Sequence, residues 1–319
     1  MKFKTTAIAM AVAGTVAAPV AVQAGADEVY ASARIGLNYR DTGGTSDFDV
    51  GQYNSRLGAK GETDLGNGLT GFGRFEWDVD FEDGDSFNLR HRYAGLKGDF
   101  GSVWIGQTNQ TFYNFVVGPN DNPFWHSGDV MIQYVGRTDN AISYAGSSDA
   151  FAYGATAHFF RDEEEEAIDI FEAGASFTFG NDMTLAGATR QVMGDEDDAG
   201  AILINSSDEA VYGLAFHGIM LGDASMGFGY QMQDDDYSVI ADLGFNNFYA
   251  HVEYSFVDED SPINGSGDDV EPVGFTLGYT QSLGRKTTMN YEAFVLDADS
   301  DDDDDDVTEV MAVLQYDII

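Results

Sequence analysis

The chain has no cysteine, only 5 prolines and only 15 basic residues among 319. Each shortage removes a class of protein. Without cysteine there is no disulfide framework, no thiol nucleophile and no thiolate metal site, so stability must come from the fold itself. Against 55 acidic residues the 15 basic ones leave a net charge of −40, which excludes nucleic acid as a partner on electrostatic grounds. Beyond residue 24 no run of about 18 apolar residues occurs, so no helix can cross a membrane.

The one apolar run stands at the start. Lys2 and Lys4 precede the small and apolar stretch from Ala7 to Val22, and Val22-Gln23-Ala24 ends in a pattern suited to cleavage. These three parts predict a secretory signal peptide over 1–24 and a mature chain over 25–319. A membrane anchor is the alternative, but the run is short, rich in alanine and followed by acidic residues rather than a basic cluster. With the two leader lysines set aside, thirteen basic residues face 55 acidic ones in the mature chain, a net charge near −42.

What the sequence does have is glycine (38), tyrosine (16) and phenylalanine (23), a composition suited to strands, turns and aromatic girdles. From Leu69 to Phe81 the odd positions carry Leu69, Phe75, Trp77, Val79 and Phe81, while the even ones carry Arg74, Glu76, Asp78 and Asp80. Period-two alternation puts successive side chains on opposite faces of a strand. Sixteen such segments are expected, at 28–40, 52–63, 67–82, 87–98, 101–109, 137–146, 150–160, 167–179, 182–193, 209–220, 224–234, 236–243, 247–257, 271–282, 286–297 and 307–319.

The connections alternate in kind. Seven are tight, such as Asp64-Leu65-Gly66-Asn67-Gly68 and Gly180-Asn181-Asp182, and the other eight are mostly longer and carry acid, as at 162–166, 195–198, 234–236, 258–260, 268–271 and 301–306. A soluble β-sandwich explains any one alternating segment equally well. Fifteen connections alternating in length and acidity, an even strand number and an export signal point instead to an all-β, sixteen-stranded antiparallel transmembrane β-barrel, closed because hydrocarbon cannot satisfy an open sheet edge.

The interval from Gln110 to Gly136 shows no strand alternation and no stable helical stripe, yet it holds Phe112, Tyr113, Phe115, Phe124 and Trp125. Long loops without structure of their own are usually functional, and these rings need burial. The lumen of the barrel is where they find it, so this loop is expected to fold inward and narrow the hole.

Asn54-Ser55-Arg56-Leu57-Gly58-Ala59-Lys60-Gly61-Glu62, Tyr93-Ala94-Gly95-Leu96-Lys97-Gly98, Phe100-Gly101-Ser102-Val103 and Arg137-Thr138-Asp139-Asn140-Ala141-Ile142-Ser143-Tyr144 resemble the Gram-negative porins of the neisserial and betaproteobacterial type. The resemblance is most specific over residues 29–147. It implies a passive outer-membrane channel for ions and small hydrophilic solutes, assembled as a homotrimer among lipid and lipopolysaccharide, with a third external loop folded into the lumen. It implies no cofactor. One departure is the C-terminus, Tyr316-Asp317-Ile318-Ile319, where such porins commonly end in phenylalanine.

Strand parity puts Arg34, Arg56, Arg74, Arg90, Arg92 and Arg137 on the lumen side. The resemblance makes Arg56, Arg90 and Arg137 the leading constriction residues, with Asp121 and Asp129 of the inward loop as the opposing acids. Opposite charges across a constriction decide which hydrated ions pass; alternatively, the arginines merely pair with lumen carboxylates such as Glu76 and Asp78. With acid concentrated at the mouth, cation preference is expected at low salt. The five histidines, His91, His126, His158, His217 and His251, show no metal-ligand spacing, and neither a Gly-x-Ser-x-Gly elbow nor a phosphate loop occurs. An enzyme is therefore not expected. A substrate-specific channel and a non-conducting structural or adhesive barrel remain the alternatives.

Overall fold

Alternation obliges each strand to show one face to hydrocarbon or protein and the other to water, and the wall follows from that. The computed structural model describes residues 28–79, 87–132, 136–138, 140–159, 168–180, 182–193, 210–261, 264, 268–299 and 305–319. The leader, Asp80, Phe81 and the acidic stretches 162–166, 195–198 and 301–304 lie outside the described residues. The strands are β1 (Glu28–Thr42), β2 (Thr45–Gln52), β3 (Arg56–Gly66), β4 (Leu69–Val79), β5 (Phe87–Gly98), β6 (Gly101–Asn109), β7 (Arg137–Thr138), β8 (Ala141–Ser148), β9 (Phe151–His158), β10 (Ile170–Thr178), β11 (Thr184–Val192), β12 (Val211–Leu221), β13 (Ala224–Gln233), β14 (Asp236–Phe245), β15 (Phe248–Phe256), β16 (Val273–Gly284), β17 (Thr287–Asp297) and β18 (Val307–Asp317).

All pairings are antiparallel, and β18 returns to β1 along the register from Ser32↔Asp317 to Thr42↔Val307, which closes the ring. Eighteen segments make sixteen staves. β1 pairs with β2 through Ile35–Thr42 and with β3 through Glu28–Ser32, so β2 and β3 are the two halves of one stave, broken at Tyr53-Asn54-Ser55, where Asn54 takes a left-handed φ of 53°. β7 and β8 share β6 in the same way.

One expected loop is strand and turn instead. The interval 41–51 continues β1 to Thr42, turns at Gly43-Gly44 (φ 56° and 75°) and returns as β2. Asp47 and Asp49 alternate there with Phe48 and Val50, a period-two signal that the surrounding acid obscured. At the same rim Asp234-Asp235, with Asp234 at φ 51°, makes the short turn that strands over 224–234 and 236–243 leave room for. At the opposite rim Asn67-Gly68, both at positive φ, makes the hairpin turn that Asn-Gly favours.

The two faces separate cleanly. Phe75, Ile105 and Leu214 are each more than half exposed on the outside, whereas Glu172, Glu253, Ser255 and Thr276 are buried on the inside. So much exposed apolar surface is unsuited to water and suited to a lipid-facing band.

The inside is filled on one side by the segment after β6. It forms a π-helical turn at Tyr113–Val117 and a 3-10 turn at Gly118–Asn120. Phe112, Val116, Val117 and Met131 pack there with Val211 and Ile240 of the wall. The wall makes room by omitting side chains. A Cβ on Gly213 would stand 2.6 Å from Val116 Cγ1 and 2.8 Å from Phe112 Cζ, and one on Gly174 would stand 2.6 Å from Phe115. Overpacking such a site costs about 1–3 kcal/mol. In the Gly213→Val variant the barrel should still fold, as judged by its heat-dependent shift on a denaturing gel, but limited proteolysis should cut between Gln110 and Ile132 faster than in the parent.

Candidate pore constriction

One wall of the lumen carries a cationic cluster. Glu76 on β4 is 1% exposed and accepts hydrogen bonds from Arg90 Nε at 3.0 Å, Tyr30 Oη at 2.7 Å and the Arg74 guanidinium. His91 Nε2 lies 3.8 Å away. A carboxylate so buried is sustained only when it is paired and bonded throughout, and here three donors converge on it. Arg90 also donates to Asn54 Oδ1 at 3.2 Å, which ties β5 across β4 to the break in the β2–β3 stave.

Arg34 and Arg56 are placed otherwise. Both lie within electrostatic reach of Arg90 and Glu76, but no carboxylate among the described residues comes within ion-pair distance of either, and the Nε of each is buried without an acceptor. The Arg34 guanidinium instead sits 5.7 Å from the centroid of the Phe124 ring, within cation–π range. Arg137, paired in register with Asn109, lies within reach of His91. Five of the six expected arginines therefore share this wall.

Arg92 does not. A β-bulge between Glu76 and Trp77 leaves Arg90 as the extra residue, with Glu76 opposite His91 and Trp77 opposite Leu89. Arg90 and His91 both turn inward, and the parity of the remaining strand flips. Arg92 falls opposite Phe75, in register with outward Ala94 and beside Ile105.

The two expected acids lie on the inward segment. Asp121 accepts from Tyr113 Oη, and Asp129 lies 3.4 Å from His126 Nδ1. The sequence reading passed over the groups that hold this segment in place, a row of carboxylates on the inner face of β10, β15, β17 and β18. Glu292 of β17 accepts from the backbone N–H groups of Phe124 at 2.8 Å, Trp125 at 3.3 Å and His126 at 2.8 Å, and from Tyr249 Oη at 2.6 Å. Glu253 of β15 accepts from Gly128 and Val130, and Glu172 of β10 accepts from the Phe112 N–H at 2.9 Å. Glu309 of β18 lies 3.3 Å from His126 Nε2. Their signal was available as single carboxylates on the polar register of otherwise apolar strands, as in Phe171-Glu172-Ala173 and Tyr291-Glu292-Ala293.

The N–H groups that Glu172, Glu253 and Glu292 accept from belong to an irregular backbone with no ladder to join. Side-chain carboxylates take the place of a neighbouring strand. His126 completes the seat, stacked on Phe294 at 4.0 Å and 3°. Burial opposes a charge on its ring, but the bond to Asp129 and the Glu309 carboxylate outweigh it and hold its pKa up at about 9.

Similar proteins agree with this architecture. The sequence model described as Gram-negative porin matches residues 5–317. Porin-like protein L of Photobacterium profundum is 22% identical over 257 residues, 77% of this chain and 75% of that protein. Outer membrane protein U of Vibrio vulnificus is 30% identical over 169 residues, 49% of this chain and 48% of that one. Among solved structures, Salmonella typhi OmpF in complex with daunomycin superposes with a TM-score of 0.70 at 17% identity, over 91% of this chain and 97% of that one. The anion-selective porin from Comamonas acidovorans gives 0.68 at 16%, over 91% and 99%.

Because the folded pKa of His126 lies above the ordinary value, its stabilising contribution is full below about pH 6.5 and is lost as pH rises through about 9. Proteolysis of the seated segment in the folded barrel should therefore quicken between about pH 8 and 10. His126→Gln should quicken it at every pH and flatten the dependence.

Proposed function

The chain belongs to the Gram-negative porin family, whose members are outer-membrane channels rather than enzymes, and on that premise we propose that it is a passive pore narrowed between the arginine wall and the segment from Gln110 to Gly136. The observation that carries the reading is the inward segment itself, seated inside the barrel with Phe124 packed beside Tyr53, Met311 and Val313 and under the Arg34 guanidinium. Ions and small hydrophilic solutes pass through the part of the lumen that the segment leaves open. Export removes residues 1–24, and the mature chain sits in lipid and lipopolysaccharide.

The functional unit is a homotrimer. A related structure is titled as the trimer form of Vibrio cholerae OmpT.

Selectivity follows from two competing charge sets. At about 0.1 M salt the Debye length is near 10 Å and the acidic rim reaches the axis; at about 1 M it falls to roughly 3 Å and only the charges lining the constriction are felt. Cations are preferred at low ionic strength, and the preference shrinks or reverses toward anions in concentrated salt.

Planar-bilayer recording tests the reading. Refolded protein should carry a steady current, reversal potentials in KCl gradients should favour cations at low salt, and deletion of Pro119 to Gly128 should raise conductance. A folded barrel without current would reject the pore and leave the structural or adhesive alternative; anion preference already at low salt would show that the arginines dominate.

A further inference from the structure

Trp125 is the only large apolar ring between Gln110 and Ile132 that is exposed, at 39%. It meets the wall through Tyr53, edge-on at 5.0 Å and 82°, a contact that covers at most one face of the indole. Its neighbours Pro123 and His126 are buried, and Glu292 fixes its backbone N–H. The segment thus presents one indole to the lumen from a rigid base.

Arg34 and Arg56 are linked to this ring's surroundings through Tyr53 and Phe124. The Tyr53 N–H donates to the Arg34 carbonyl at 2.9 Å, Arg34 lies over Phe124 next to Trp125, and Arg56 begins β3 three residues after Tyr53. Glu76 occupies Arg74 and Arg90 but leaves these two guanidiniums without a carboxylate partner among the described residues. Their buried Nε atoms leave the terminal nitrogens as the part that meets the water. A guanidinium fork matches a carboxylate bidentately, and an indole face accepts a flat ring by offset stacking. Two such elements at one constriction recognise a particular solute chemistry.

We propose that the constriction holds a binding station for organic anions that join an aromatic ring to a carboxylate, the ring on Trp125 and the carboxylate on Arg34 and Arg56. The inference rests on the pore reading and adds a solute preference to it. Benzoate, acetate and benzamide separate its parts, because acetate lacks the ring and benzamide lacks the charge.

The test is current interruption in planar bilayers bearing the full-length pore. Benzoate should interrupt the current at concentrations about tenfold lower than either acetate or benzamide, the difference expected from one stacked ring or one charge-assisted pair. Measured against each variant's own open current, Trp125→Leu should bring benzoate to the level of acetate, Trp125→Phe should keep part of the margin, and Arg34→Gln with Arg56→Gln should bring benzoate to the level of benzamide. Equal action of benzoate and acetate on the parent pore would overturn the station while leaving the pore intact, as would a full margin in Trp125→Leu. Absence of any current in KCl alone would overturn the pore reading, and the station with it.

Discussion

A wall in hydrocarbon has no water to satisfy its backbone, so every N–H and C=O must be met by the next strand. In this chain that obligation runs around the ring and closes between β1 and β18. It fixes what the side chains can do. Because the ladder consumes the backbone, alternation alone decides which residue sees lipid and which sees the lumen, and one extra residue redirects all that follow. The bulge at Arg90 is such a residue. It brings two adjacent side chains, Arg90 and His91, toward Glu76, and turns Arg92 outward.

The inward segment escapes the ladder and must satisfy its backbone by other means. Glu172, Glu253 and Glu292 provide acceptors from three separate strands, and the glycines at 174 and 213 provide space for Phe115, Phe112 and Val116. Polar anchoring and apolar seating act on the same stretch. A hydrogen bond between a backbone N–H and a carboxylate contributes roughly 1.5–3 kcal/mol, and several of them hold a segment with little regular structure against one wall. The anchoring also sorts charge, since Glu172, Glu253 and Glu292 are spent on backbone donors while Glu76 is spent on Arg74 and Arg90.

The barrel was legible in the sequence because period two is a strong signal and closure leaves few alternatives. Stave number and the inward segment's need for burial followed from it. The short hairpin turn at Gly43-Gly44 was not legible, because acid-rich sequence reads as loop even where Phe48 and Val50 keep the strand rhythm. Arg92 was misplaced because parity assumes an unbroken register, and a bulge leaves no mark in residue type. The anchoring glutamates showed only as single carboxylates on the polar face. Their partners are backbone groups more than a hundred residues away, as with Glu292 and Phe124, and no local pattern encodes such a pairing.

Glu76 explains how Arg34, Arg56, Arg74 and Arg90, four of the five arginines on this wall, can stand together. Two guanidiniums about 8 Å apart repel by roughly 2 kcal/mol at an effective dielectric of about 20, so an uncompensated cluster would spread its side chains toward the rims. A buried carboxylate that bonds Arg74 and Arg90 together offsets that repulsion and fixes two of the four heads. Arg34 and Arg56 can then stand close by with no carboxylate partner among the described residues, Arg34 against an aromatic face. The sequence left open whether these arginines pair with lumen acid or face the solute. Arg74 and Arg90 pair with Glu76, and that pairing lowers the repulsion that Arg34 and Arg56 feel beside them.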